Sequence, residues 1–185
     1  MPARAIRALD LTVFDRVGRP SSARFDRSMV GLSSLADHAK LWAAAGAVLV
    51  VTGHGSAAAR GLTSLSIASL SANLIGKRLV GGSRPLLSGV PRRRRLRRPP
   101  TSASFPSGHS ASAFAFAVGA SLDDPGLAVV LLPMAVAVAY SRLHTGSHWL
   151  SDVAGGALLG TTVAAADAVL HRRRHARSHA RQAAS

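Results

Sequence analysis

Three short clusters hold the side chains equipped for chemistry. The first, KRLVGGSRP, begins at Lys77 and carries Arg84 and Pro85 near its end. The second is Pro106-Ser107-Gly108-His109, and the third, RLHTGSHWLSD, runs from Arg142 through His148 to Asp152. Lys77, Arg84 and Arg142 are cations beside apolar stretches, where each is costly to hold without a compensating anion. A phosphate satisfies all three, since a guanidinium offers paired donors to its oxygens. Pro106 suits the first turn of a helix, Gly108 lets backbone approach a ligand, and Ser107 adds a hydroxyl. The free N–H groups of a helix start make an anion site.

The histidines supply the reaction. His148 and Asp152 are four apart and share a helix face if the last helix begins near His148. Asp152 then accepts the Nδ1 proton and leaves Nε2 as a nucleophile. A phosphoryl group whose charge is neutralised by three cations accepts attack by a neutral nitrogen, so a phosphohistidine intermediate is expected. His109, at the mouth of another helix, is placed to protonate the departing alkoxide and then to activate water. The scheme needs no metal and no cofactor. Taken singly, an HxxxD pair or a PSGH helix start is more often structural, and His144 reads as an incidental loop or packing residue. The combination has no easy structural explanation.

Long uncharged stretches must position these clusters. Leu41 to Ala59 has no charged residue and reads as a first spanning helix, and Gly61 to Gly76 as a second, rich in Ser and Thr and suited to a bundle interior. Residues 77–106, with their prolines, glycines and the run RRRRLRR, read as a loop. His109 to Leu122 is a third helix, DDPG a turn, Leu127 to Ser141 a fourth with a kink expected at Pro133, and Trp149 to Leu170 a fifth. By this count all three clusters lie on one side of the membrane. The expected fold is therefore all-α, a small membrane-embedded bundle of about five spanning helices plus N-terminal amphipathic helices. Residues 1–40 are assigned to a basic interfacial region without a secretory signal, 41–170 to the catalytic domain and 171–185 to a basic, frayed tail. Trp149 is expected to anchor its helix at the lipid interface, and Arg92 to Arg98 to form a solvated or headgroup-facing patch.

Composition agrees with a membrane setting. The 185 residues are 48% hydrophobic but only 4% aromatic, and 23 Lys+Arg against 8 Asp+Glu give a net charge of +15 alongside a mean hydropathy of +0.22. Arg-rich edges around Ala, Leu and Val helices reach that balance easily. With no Cys, disulfides, thiolate metal sites and Cys nucleophiles are excluded.

The three clusters resemble the signature of the type 2 phosphatidic acid phosphatase (PAP2) superfamily, K-x6-RP, PSGH and SR-x5-H-x3-D. Lys77 with Arg84-Pro85, Pro106 to His109, and Ser141-Arg142, His148 and Asp152 match it in order. The segment also resembles the phosphatase half of bacterial proteins that fuse this domain to a lipid kinase. The resemblance implies a metal-independent lipid phosphatase acting on phosphatidate, phosphatidylglycerol phosphate or a polyprenyl mono- or diphosphate. It implies His148 as nucleophile, Asp152 as its orienting partner and His109 as acid and base, with Lys77, Arg84, Ser107, Gly108 and Arg142 holding phosphate. The expected partners are a lipid phosphate and the bilayer.

Two other readings compete. Some soluble relatives are vanadate haloperoxidases, but this small hydrophobic chain offers none of their elaboration. A basic nucleic-acid-binding protein would use the net charge, yet sparse aromatics and long uncharged helices oppose it, and no nucleic-acid partner is expected. For orientation, positive-inside counting places the motif side in the cytoplasm. The resemblance points outward, and the extracytoplasmic side is the expectation.

Overall fold

The structure, a computed structural model, describes residues 2–183, with side chains for 3–173. Two helices, α1 (Pro2–Gly18) and α2 (Ala23–Leu35), precede a bend at residues 36–39, after which α3 (Lys40–Val51) and α4 (Gly55–Leu70) form an antiparallel pair. α4 passes into a π-helical turn, Ser71–Gly76, and a last helical turn, α5 (Lys77–Leu79). A long loop leads to α6 (Gly108–Asp123), and α7 (Ala128–His144) and α8 (Leu150–Ala183) complete the bundle. No strand occurs among the described residues, only an isolated bridge between Gly81 and Phe105. The all-α expectation is met.

The first expected span is corrected. Leu41 to Ala59 is not one helix: Gly53, at φ +88°, turns the chain between α3 and α4. That conformation suits a residue without Cβ. At 12 residues, α3 rises only about 18 Å, less than a hydrocarbon core of about 30 Å. By length and apolarity, Pro125–His144 and Leu150–Arg173 are sufficient to cross a membrane. A third span arises if α2 and the segment Asp37–Val51, bent by 72°, count as one. α7 continues through Pro133 to His144.

Two buried clusters hold the bundle. Trp42 of α3, Phe116 of α6 and Val138 of α7 centre the larger one, with the Trp42 and Phe116 rings 5.1 Å apart. Ala68, Ala72, Ala111 and Ala115 form the second. These small residues let helices approach closely, as does the α6–α8 seam: a Cβ on Gly160 would lie 2.2 Å from the Ala111 carbonyl oxygen, and one on Gly156 2.4 Å from that of Ser107. Leu, Val and Ile side chains such as Val51, Val129 and Leu158 are exposed on the outward faces, as a lipid-facing surface requires.

The N-terminal helices are fastened to the motif end. Asp26, with no exposed surface, takes charge-assisted bonds from Arg93 and from Arg94 Nε (2.8 Å), and His144 Nε2 lies 2.8 Å from it. Arg94 also donates to the carbonyls of Val17 (2.8 Å) and Arg19 (2.7 Å). The expectation of a solvated Arg92–Arg98 patch therefore fails for Arg94, which is 1% exposed. His144, expected to be incidental, is part of this buried network. Trp149 is corrected too: it is buried, donates Nε1–H to the Ser83 carbonyl at 2.8 Å, and lies beneath Phe14 and the Arg7 guanidinium of α1. The basic tail, expected to be frayed, is helical from His171 through Ala183; residues 184 and 185 lie outside those described.

Candidate active site

α4, continued by its π-helical turn, brings α5 and Lys77 to one end of the bundle, α6 starts there with Gly108 and His109, and α7 ends there just past Arg142 before the turn to His148. The intervening loop is folded back because Ser104 and Phe105 donate their amides to the Gly82 and Gly81 carbonyls, both at 3.0 Å. Gly81 and Gly82 have φ of +72° and +104°, which only glycine adopts readily. Arg84 is thereby returned to the end of α6.

These elements enclose a hollow of about 270 Å³ whose wall includes Lys77, Arg84, Gly108, His109, Arg142 and His148. Six of the eight residues singled out from the sequence thus share one cavity. The other two stand behind it. Ser107, fully buried, is the N-cap of α6: its Oγ accepts from the Ser110 amide (3.3 Å) and hydroxyl (3.0 Å). Asp152 backs His148, with Oδ2 3.4 Å from Nδ1. The same oxygen accepts from the Ser104 hydroxyl at 2.5 Å and the Trp149 amide at 2.8 Å, which fixes the carboxylate.

The far side of His148 faces the cations. Arg84 Nη1 is 3.1 Å from Nε2 and donates to the Ser147 carbonyl, while its other nitrogens donate to the carbonyls of Ser102 (2.9 Å) and Ala103 (3.2 Å). Lys77 Nζ donates to Ser102 Oγ at 3.0 Å. Arg142 is 1% exposed, donates Nη1–H to Ser33 Oγ at 2.5 Å, and has no protein partner for Nε. A buried guanidinium with an open donor asks for an anion.

Burial, then the Arg142 and Arg84 charges, hold His148 well below the usual imidazole range, against the raising effect of Asp152. Its ring is neutral at physiological pH. Burial likewise lowers Lys77, with Arg84 and Arg142 adding to the effect. An anion entering the hollow relieves both sets of repulsions.

Sequence reasoning missed four participants. Ser104 supports Asp152, and Ser69 at the end of α4 and Asn73 in the turn that follows line the hollow. Asp37 stands 2.7 Å from His109 Nε2. The π-helical turn that carries Asn73 is of a kind that recurs at functional sites; nothing in the local sequence announces it. Among the described residues no group of three or more His, Asp or Glu side chains is arranged to hold a metal ion.

Residues 57–176 match the family model of the PAP2 superfamily, and the chain belongs to that superfamily. With helices apolar enough to cross a bilayer, it is a membrane protein. An undecaprenyl-diphosphatase of Sulfolobus acidocaldarius is 42% identical over 65 residues, 35% of this chain and 32% of that protein. The matched segment is thus about a third of the curated relative's length. Two crystal structures share the fold. The transmembrane PAP2-type phosphatidylglycerolphosphate phosphatase of Bacillus subtilis has a TM-score of 0.69 at 20% identity, covering 91% of this chain and 87% of that one. Aquifex aeolicus LpxE has a TM-score of 0.64 at 21% identity, covering 85% and 93%.

Proposed function

We propose that the chain is a multi-pass membrane phosphatase that hydrolyses the phosphomonoester or diphosphate of a lipid through a phosphohistidine, without a metal. The supporting observation is that His148, its Nε2 3.1 Å from Arg84, lines one hollow together with three cations and a second imidazole, His109. Neutral His148 attacks phosphorus through Nε2, and the P–O bond to the lipid breaks with its electron pair on the leaving oxygen. His109 gives that oxygen a proton. It then takes one from water, which attacks the phosphohistidine and returns the P–N pair to His148. Lys77, Arg84 and Arg142 neutralise the equatorial oxygens, and Gly108 opens the backbone of the α6 start to them. Ser107 serves from behind the hollow by capping α6 and so fixing the helix start that faces the phosphate. Asp152 holds the His148 tautomer.

A lipid substrate is favoured because the hollow lies at the end of an apolar bundle, so a headgroup enters while its tail remains in hydrocarbon. Phosphatidate, phosphatidylglycerol phosphate and polyprenyl phosphates or diphosphates, the last two in keeping with the names of the relatives, are the candidate substrates. The hollow is taken to open on the extracytoplasmic side, in line with the motif resemblance.

The test is phosphate release by the detergent-purified chain from each of these lipids in EDTA. Release from at least one, lost in His148→Ala, with acid-labile phosphate trapped on the native chain, is the expected result. Turnover by folded His148→Ala, or dependence on an added metal, overturns the mechanism.

A further inference from the structure

The His109 ring has a partner that none of the three motifs contains. Its Nε2 stands 2.7 Å from Oδ1 of Asp37. Asp37 lies in the bend between α2 and α3, outside the residues 57–176 that match the family model. The backbone there is unusual. His38 and Ala39 have φ of +55° and +58°, left-handed values uncommon outside glycine, which His adopts more readily than most residues and Ala rarely. Two consecutive outliers hold the bend over the hollow, whose wall includes Ala36, His38 and Ala39. Strain of this kind persists where surrounding structure over-determines it, and it clusters at functional sites.

The arrangement mirrors the other histidine. Asp152 faces Nδ1 of His148 and leaves Nε2 for phosphorus; Asp37 faces Nε2 of His109 and leaves Nδ1 for the leaving oxygen. The charges facing the His109 ring are Asp37 from the bend, Arg142 from α7 and Lys77 from α5. Burial, the largest influence, and both cations favour loss of the ring proton and hold His109 below the usual imidazole range, while Asp37 alone opposes them. Without that carboxylate an acid catalyst in so cationic a hollow surrenders its proton before the lipid oxygen needs it.

We propose that Asp37 is the positioning residue of the acid–base step, holding the His109 ring through Nε2 so that Nδ1 is presented to the departing lipid oxygen. The proposal rests on the phosphatase reading above. As the P–O bond breaks, its electron pair stays on the lipid oxygen, which takes the Nδ1 proton, and Nε2–H remains on Asp37. In the second half-reaction Nδ1 removes a proton from the attacking water. The N-terminal region thereby supplies the active site with a group as well as a cover.

The experiment compares Asp37→Asn, Asp37→Glu and His109→Ala with the native full chain in detergent. Phosphatidate, whose alkoxide needs a proton to leave, is set against p-nitrophenyl phosphate, whose phenolate does not. For Asp37→Asn, kcat/KM on phosphatidate should fall about 10-fold or more relative to the aryl ester, as partial loss of general-acid catalysis requires. The basic limb of its pH profile should move to lower pH, and Asp37→Glu should restore part of both. Because the first readout is a ratio on one preparation, a smaller folded fraction cancels. Equal losses on both substrates with an unmoved basic limb overturn the proposal. If His109→Ala is selective against phosphatidate and Asp37→Asn is not, Asp37 alone is removed. If His109→Ala is not selective either, the acid assignment of the phosphatase reading fails with it.

Discussion

Asp10 of α1 accepts hydrogen bonds from the backbone amide and the hydroxyl of Ser151, both at 2.8 Å. The first helix of the chain therefore satisfies an otherwise orphan amide in the first turn of the helix that carries Asp152. Asp10→Ala should cost about 0.5–2 kcal/mol, the range for a lost N-terminal cap, and should lower kcat more than KM, since it loosens the turn that orients His148. Thermal unfolding in detergent together with steady-state kinetics checks both. Unchanged stability with native kcat would remove the coupling.

Asp152 takes three donors on one oxygen, and the shortest is from Ser104. Asp152→Asn should reduce kcat by about 100-fold or more, since an amide no longer selects the reactive His148 tautomer. Ser104→Ala removes one support and should cost roughly 10-fold or less, without a change in the phosphohistidine chemistry. Rapid-quench trapping of the phosphoenzyme distinguishes slow formation, expected for both, from slow hydrolysis.

His148 is pushed down to about 4, with burial the largest cause. A nucleophile must be unprotonated, so its contribution is present above that value and is lost as the pH falls through it. The acid limb of kcat/KM assigned to His148 should therefore lie near pH 4. Any limb near pH 6 reports the second ionisation of a phosphomonoester, of pKa about 6, and should vary with substrate. A limb at pH 6–7 that is the same for every substrate would contradict this.

The Asp26 cluster predicts unequal effects within one arginine run. Arg94→Ala leaves a fully buried carboxylate short of a charge partner and should destabilise by about 3–5 kcal/mol. Arg97→Ala, at an exposed position of the same loop, should stay within about 0.5 kcal/mol. Comparison of the two unfolding temperatures in detergent tests the difference.

Orientation is open to direct labelling because the chain has no cysteine. Ser88→Cys marks the motif end and Val51→Cys, at an 86% exposed position, the opposite turn. An impermeant maleimide added to intact cells should label Ser88→Cys and spare Val51→Cys. The reverse pattern places the hollow in the cytoplasm, as the positive charge balance alone would have it.

Much of the site was legible in the sequence because its residues come from three compact motifs. Four of the five apolar helices were legible too; the first was drawn too long because the turn at Gly53 was hidden inside a stretch of unbroken apolarity, where Thr52-Gly53-His54-Gly55 was the available signal. What escaped were the carboxylates Asp10, Asp26 and Asp37. Each comes from the first forty residues, and each meets a partner far along the chain, at Ser151, Arg94 and His109. Local spacing carries no record of such pairings, because they exist only once α1 and α2 have folded across the end of the bundle. Trp149 was misplaced for the same reason: the helix that buries it has no sequence relation to it.

The missing side chains of Gly156 and Gly160 have a consequence for how the two imidazoles are kept in step. With α6 and α8 touching backbone to backbone, the helix that begins beside His109 and the helix that begins beside His148 cannot draw closer without driving main-chain atoms into one another. The gap between the two imidazoles, the nucleophile and proton donor of the proposed mechanism, is thus gauged by two absent methyl groups deep in the seam. An alanine at either place should spoil phosphoryl transfer from a distance while leaving every group in the hollow intact.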